Sequence, residues 1–249
     1  MARFEPFRAL RYDRDRVDLA RVLAPPYDVL DAEARQALCD RDPHNAVRID
    51  LPAEADGPGR YKAAAAALAE WQADGVLVRD ATPTFTVYRM VATDEQGVER
   101  RTTGVIGALE LTPPGTDILP HEHTTPKAKS DRLDLLRATR ANLSAIWGLS
   151  LAQGLTALLP VDREPAGDVV DEDGVRHTVW IVDDDATCAA IAAAVAEAPV
   201  VIADGHHRYE TSLAYKGERE AEGGDAGDAE ATMAYVVELV EDELTVHAI

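Results

Sequence analysis

The sequence predicts an α+β fold of mixed sheets with hairpins and peripheral helices. Three observations carry this. Alternating segments at 84–111 and 167–182 each double back across a turn, which is hairpin patterning. Alanine-rich helical stretches stand between the hairpins rather than after every strand, which argues against a doubly wound parallel sheet. Finally, Val200-Val201-Ile202-Ala203 is an apolar, mostly β-branched run that turns at Asp204-Gly205 and continues as a helix from His206 to Lys216.

Taken in order, Phe4 to Tyr12 reads as a short β-like opening. Pro25-Pro26 stiffens the chain and projects Tyr27 and Asp28 from a fixed backbone. Asp31 to Asp40 reads as a short helix and Asn45 to Leu51 as a strand. Gly57-Pro58-Gly59 breaks the pattern before an alanine-rich helix, Arg60 to Asp74, closed by Gly75. Thr84 to Thr93 and Val98 to Leu111 form the first hairpin across 94–97. Lys127 to Arg140 reads as a helix with Leu133, Leu136 and Ala138 inward, and Ala145 to Leu151 as a strand. Gly167 to Val170 and Val175 to Val182 make the second hairpin. Ala186 to Glu197 is a helix with N-cap candidates at Asp183, Asp184 and Asp185. Gly217 to Asp228 reads as a glycine-rich, charged loop, followed by strands at Ala231–Leu239 and Leu244–Ile249. The expected organisation is a single α+β domain over 1–249 with a large insertion at about 44–198. Because the last strand stops in mid-pattern, the chain is expected to continue beyond Ile249.

Lys and Arg total 25 against 45 Asp and Glu, a formal net charge of −20. Such a surface repels nucleic acid and anionic membranes, so neither is expected as a partner. Two cysteines, Cys39 and Cys188, supply neither a disulfide framework nor a cysteine zinc site. With no apolar signal segment and no run of membrane-spanning length, the expected location is cytoplasmic.

Two polar constellations could do chemistry. At Asp204-Gly205-His206-His207-Arg208, cationic side chains crowd a helix N-terminus, where positive charge is ordinarily disfavoured. A bound phosphate would resolve the conflict, with Arg208 supplying forked donors. The plainer explanation is a turn capped by Asp204 with solvated histidines. The cluster lies at the carboxyl end of an apolar strand, where α/β proteins place their sites, and this favours the functional explanation. The second constellation, His121-Glu122-His123, is held outside regular structure by Pro120 and Pro126. Here Glu122 could act as general base on a substrate hydroxyl, with His121, His123, Lys129 and Arg208 around the phosphoryl group. Asp28 completes the candidate catalytic set. Read alone, His121 and His123 are solvent-facing loop residues. Together with His206 and His207 they could instead hold a metal ion in a hydrolase. No Walker loop, G-x-G-x-x-G or G-x-S-x-G motif occurs.

Asp204-Gly205-His206-His207-Arg208 resembles the signature of the ParB/sulfiredoxin superfamily, which includes the free serine kinases. Four blocks more closely resemble the domain-of-unknown-function family 1015. They are Pro25-Pro26-Tyr27-Asp28-Val29, Pro120-His121-Glu122-His123-Thr124, Asp131-Arg132-Leu133 and Ile202 to Thr211. The resemblance implies a ParB-like core and a phosphotransferase or phosphatase acting on a small hydroxylated metabolite such as serine or phosphoserine. Phosphate or nucleotide would be held by Asp204, Gly205, His206, His207 and Arg208, with Lys129 beside them. A kinase would use Mg²⁺ with ATP or ADP. A nucleotide-binding, non-enzymatic ParB-like regulator is a further expectation.

Overall fold

The computed structural model describes residues 2–53, 59–94, 96–120, 126–224 and 226–239. Among them, nine strands form one mixed sheet. Its centre is the hairpin of β4 (Phe85–Thr93) and β5 (Glu99–Glu110). On one side β4 pairs with β9 (Arg176–Val182), which pairs with β8 (Gly167–Val170), all antiparallel. On the other side β5 pairs antiparallel with β11 (Ala231–Glu238). Beyond it lie β7 (Ile146–Ser150), parallel to β11, then β10 (Val200–Asp204), antiparallel to β7, then β6 (Ile118–Leu119), parallel to β10. The opening segment divides between two sheets. β1 (Phe4–Glu5) joins β5, whereas β2 (Leu10–Tyr12) pairs with β3 (Leu77–Arg79). Strands from within 44–198 and from outside it therefore share one sheet.

Alternation along the strands builds the main core. Phe85 and Val87, Val105 and Leu109, Trp180 and Val182, Val200 and Ile202, and Ala234 and Val236 all enter one buried cluster. Helix α7 (Asp185–Ala196) covers it with Ile191 and Val195 and is capped by Asp184, whose carboxylate accepts the Thr187 N–H. A smaller cluster joins Leu68 and Trp71 of α4 (Arg60–Ala73) to Ile49, Val76 and Leu77. A third contains Leu38 and Cys39 of α2 (Ala32–Arg41) with Val47. Preceding α2 are α1 (Leu19–Val22) and a 3-10 turn at Tyr27–Val29.

Three segments depart from the sequence reading. Asn45–Leu51 is not a strand but contains the helical turn α3 (Val47–Asp50). Asn45 starts it by accepting the Val47 N–H at 3.0 Å while donating to the carbonyls of Arg21 and Leu23. Val47 and Ile49 are both buried, which imitates strand alternation, but they enter two different clusters on opposite sides of the turn.

The second departure is α8, which runs from His206 to Gly223 rather than stopping at Lys216. It ends at Gly224, whose φ of 78° forms the left-handed cap. A glycine inside a helix costs about 1 kcal/mol relative to alanine. Past Gly217, the helix is supported by a two-pronged ion pair from Arg137 of α5 (Pro126–Thr139) to Glu218, at 3.0 and 2.5 Å. Third, among the described side chains of α5 the buried ones are Arg132 and Leu135, while Leu133, Leu136 and Ala138 are only half-buried. The 244–249 strand lies outside the described residues. No helix among those described is long and apolar enough to cross a membrane. Both cysteines are buried and unpaired.

Gly107 in β5 marks a tightly packed point of the main core. A Cβ there would come within 2.5 Å of the Phe4 and Phe85 rings, which stack at a centroid distance of 5.1 Å. Gly107→Ala is therefore expected to cost about 1–3 kcal/mol in urea unfolding. Gly217→Ala meets nothing within 4 Å and should stabilise α8 by about 0.5–1 kcal/mol. Equal stability of the two variants would contradict this account of the packing.

Candidate functional site

The strand-turn-helix unit forms as the sequence suggests. The regular pairing of β10 with β7 breaks between Ile202 and Asp204. Gly205 then adopts φ 88°, ψ 27°, a left-handed conformation that favours glycine, and α8 begins at His206. Any Cβ at Gly205 would sit 3.0 Å from the Arg208 guanidinium, so the glycine also lets that side chain fold back over the turn. Arg208 donates to the Ala145 carbonyl and to the Asp204 carboxylate. Asp204 is thus not the helix cap; it neutralises Arg208 one turn on. This pairing accounts for part of the charge conflict seen in the sequence. His206 is buried and His207 half-buried.

A second guanidinium lies behind this turn. Arg132, only 9 % exposed, projects from the early part of α5. Its Nε and Nη2 donate to Asp131 Oδ2 at 3.1 and 3.0 Å. Its Nη1 donates to the Asp50 carbonyl at 2.8 Å and to Asp50 Oδ1 at 3.3 Å. Its Cζ lies 4.0 Å from the centre of the Tyr27 ring, a cation–π contact. Asp131 Oδ1 in turn accepts from Arg60 Nη2 at 2.9 Å and the Tyr61 hydroxyl at 2.8 Å. Asp50 Oδ2 accepts from Ser144 Oγ at 2.9 Å.

Asp50, Arg132, Ser144, Arg208 and Thr211 line a cleft of about 50 Å³ together with the apolar side chains of Leu135, Leu136, Ala141 and Leu143. The volume accommodates a few heavy atoms, which is the reacting end of a small metabolite rather than a whole nucleotide. Thr211 is 3 % exposed, and its hydroxyl has no hydrogen-bond partner among the described residues.

The carboxylates here behave differently. Burial pushes the Asp50 carboxyl above its ordinary range, even though Arg132, Ser144 and Arg208 pull it down; the charge of nearby Asp28 adds to the rise. For Asp131, burial also acts upward, but the Tyr61 hydroxyl together with Arg132 and Arg60 holds it below the usual range. Burial raises the Tyr27 phenol despite Arg132 and Arg208.

Three of the four sequence blocks meet at this place: Tyr27-Asp28, Asp131-Arg132 and Asp204–Arg208. Asp28 is exposed and outside the cleft lining, close enough for its charge to act on Asp50. His121, Glu122 and His123 lie outside the described residues, as does the side chain of Lys129. The sequence reading missed Asp50, Ser144 and Thr211 as cleft residues. Asp50 was hidden inside the supposed strand; Ser144 carries no motif of its own, and Thr211, the last residue of the Ile202–Thr211 block, was given no role. Among the described residues, no three His, Cys, Asp or Glu side chains are grouped to hold a metal ion.

The raised Asp50 carboxyl gives a prediction with a definite sign. The folded state binds this proton more tightly than the unfolded chain, whose aspartate titrates near ~3.9. Asp50 therefore contributes its full stability below that value and loses it as pH rises through the folded value. Asp50→Asn should leave Tm at pH 7 unchanged or higher and should flatten the slope of stability against pH above ~4. A marked fall in Tm at pH 7 would show that the Arg132 pairing outweighs the cost of burial.

No curated protein and no solved structure matches the chain. The family model described as "Protein of unknown function (DUF1015)" matches residues 4–249, virtually the whole chain, and includes every segment that converges on the cleft. The chain therefore belongs to the DUF1015 family.

Proposed function

We propose that the protein is a phosphoryl-transfer enzyme, a kinase or phosphatase, acting on a small hydroxylated metabolite such as serine or phosphoserine. The observation that carries this reading is the convergence of Arg132 and Arg208, from two helices, with Asp50, Ser144 and Thr211 on one small cleft. Phosphoryl transfer asks a protein mainly for positioning and positive charge, with a group to take or give a proton. An arginine suits a tetrahedral anion because its fork donates two bonds in fixed geometry. Arg132 and Arg208 are held by Asp50, Asp131 and Asp204 in a protein of net charge −20, so a bound phosphate would share their donors with these carboxylates. The resemblance of Asp204–Arg208 to the ParB/sulfiredoxin signature supports the same reading, since that turn is associated with phosphate in the serine kinases.

In the kinase direction Mg²⁺ would arrive with the phosphates of ATP or ADP, because this ion keeps much of its coordination to phosphate and water. The described side chains do not form a cage for it, so no step is assigned to a protein-held metal here.

The deciding assay follows phosphate release from phosphoserine alone, and phosphate transfer between serine and ATP or ADP, each with Mg²⁺. Release without nucleotide makes the protein a phosphatase; transfer only with nucleotide makes it a kinase. Silence in both from folded protein would overturn the reading in favour of a metal-dependent hydrolase or a nucleotide-binding regulator. Arg208→Ala should weaken phosphoserine binding by about 1.5–3 kcal/mol, the range for hydrogen bonds to charged groups. Unchanged affinity in the folded variant would remove Arg208 from the anion site.

A further inference from the structure

We infer that Asp50 is the proton acceptor of the reaction, a catalytic role that rests on the phosphoryl-transfer reading. The carboxylate is fixed at the cleft wall by one donor on each oxygen, Arg132 Nη1 on Oδ1 and Ser144 Oγ on Oδ2. Each carboxylate oxygen can accept two hydrogen bonds, so both retain a direction for a substrate hydroxyl. Thr211, from α8, lines the same cleft, and its buried hydroxyl has no partner among the described residues, an unmet polar group in the lining.

The other described acidic groups nearby are less suited. Asp131 is saturated by Arg60, Tyr61 and Arg132 and is held in the ionised form. Asp204 is committed to Arg208. Asp28 is exposed and outside the cleft lining. Burial leaves the Tyr27 phenol protonated, a donor rather than an acceptor. Burial also brings Asp50 closer to neutrality than an ordinary aspartate, which is the direction a general base requires.

In the step itself, the attacking hydroxyl is the substrate's in the kinase direction and water's in the phosphatase direction. It gives its proton to Asp50 as its oxygen bonds to phosphorus. The bond from phosphorus to the leaving oxygen breaks, and that oxygen keeps the electron pair. The leaving group is a nucleoside diphosphate or monophosphate in the kinase, and the metabolite alkoxide, protonated in turn by Asp50, in the phosphatase. Arg132 and Arg208 balance the charge that spreads over the phosphoryl oxygens. Leu135, Leu136, Ala141 and Leu143 supply the apolar part of the lining.

The test uses the full chain and the reaction that the wild type turns over in the assay above. Asp50→Asn is expected to lower kcat by about 10²–10⁴-fold, the usual contribution of a general base. Its phosphoserine affinity, measured by titration calorimetry, should stay within about threefold of wild type, because the anion is held by arginines. Ser144→Ala removes a donor from ionised Asp50, so the acid limb of kcat/KM should move to higher pH. The other groups facing Asp50 (Arg132, Arg208, Asp28 and Tyr27) are unchanged in that variant, and a merely structural role for Asp50 would leave the limb in place.

Near-wild-type turnover in Asp50→Asn, or an unmoved limb in Ser144→Ala, would overturn the inference while leaving the proposed function standing. So would loss of the acid limb in Glu122→Gln. If Asp50→Asn does not fold, the limb in Ser144→Ala decides. A wild type that is silent toward every phosphoryl substrate would instead overturn the function, and the role of Asp50 with it.

Discussion

The buried guanidinium of Arg132 is the constraint on which the arrangement of the site depends. A charge taken out of water costs several kcal/mol unless it is paired and hydrogen-bonded. Arg132 meets this requirement with groups from three separate parts of the chain: the Tyr27 ring, the carboxylate and carbonyl of Asp50, and its neighbour Asp131. Asp131 then recruits Arg60 and Tyr61 from α4. One side chain thereby ties the proline-stiffened turn, the end of α3, α4 and α5 into a single wall. β10 and α8 bring Arg208 to the same cleft, where it is set by Gly205, Asp204 and Ala145.

Two enclosed carboxylates, buried Glu238 and half-buried Asp50, respond differently to their surroundings. Glu238, at the end of β11, is 5 % exposed and receives the Gly154 and Thr156 backbone N–H groups at 2.6 and 2.7 Å. Burial acts upward on it as well, but those donors hold it below the usual carboxylate range, so it anchors the turn before α6 (Leu155–Leu158) as a settled anion. Among the described residues Asp50 has no backbone donors of this kind, and burial wins despite Arg132, Ser144 and Arg208. Its ionised form is kept at a cost to the fold.

Much of the architecture was legible in the sequence because its signals are local. The alternation of 84–111, the alanine-rich helix stopped by Gly75, and the apolar run turning at Asp204-Gly205 each specify an element within a dozen or so residues. Four separated blocks also carried the family resemblance that the family model bears out. The non-local pairings were not legible: nothing in the sequence sets β7 between β10 and β11, or makes β6 parallel to β10. Asp50 escaped for a related reason. Val47 and Ile49 reach two cores from one helical turn, and the alternation that results looks like a strand, which obscured the carboxylate at its end. On α5, the expectation of an apolar inner face hid Arg132, whose inward placement depends on partners some eighty to a hundred residues away in the chain.

The central claim is that these converging segments form a binding site for a small phosphorylated metabolite. The most direct test is amide chemical-shift mapping of the isotopically labelled protein during titration with phosphoserine. The account predicts saturable shifts concentrated at residues 27–28, 50, 131–132, 142–144 and 204–212, which surround the cleft. Shifts confined to another surface, or none at millimolar ligand in folded protein, would contradict it.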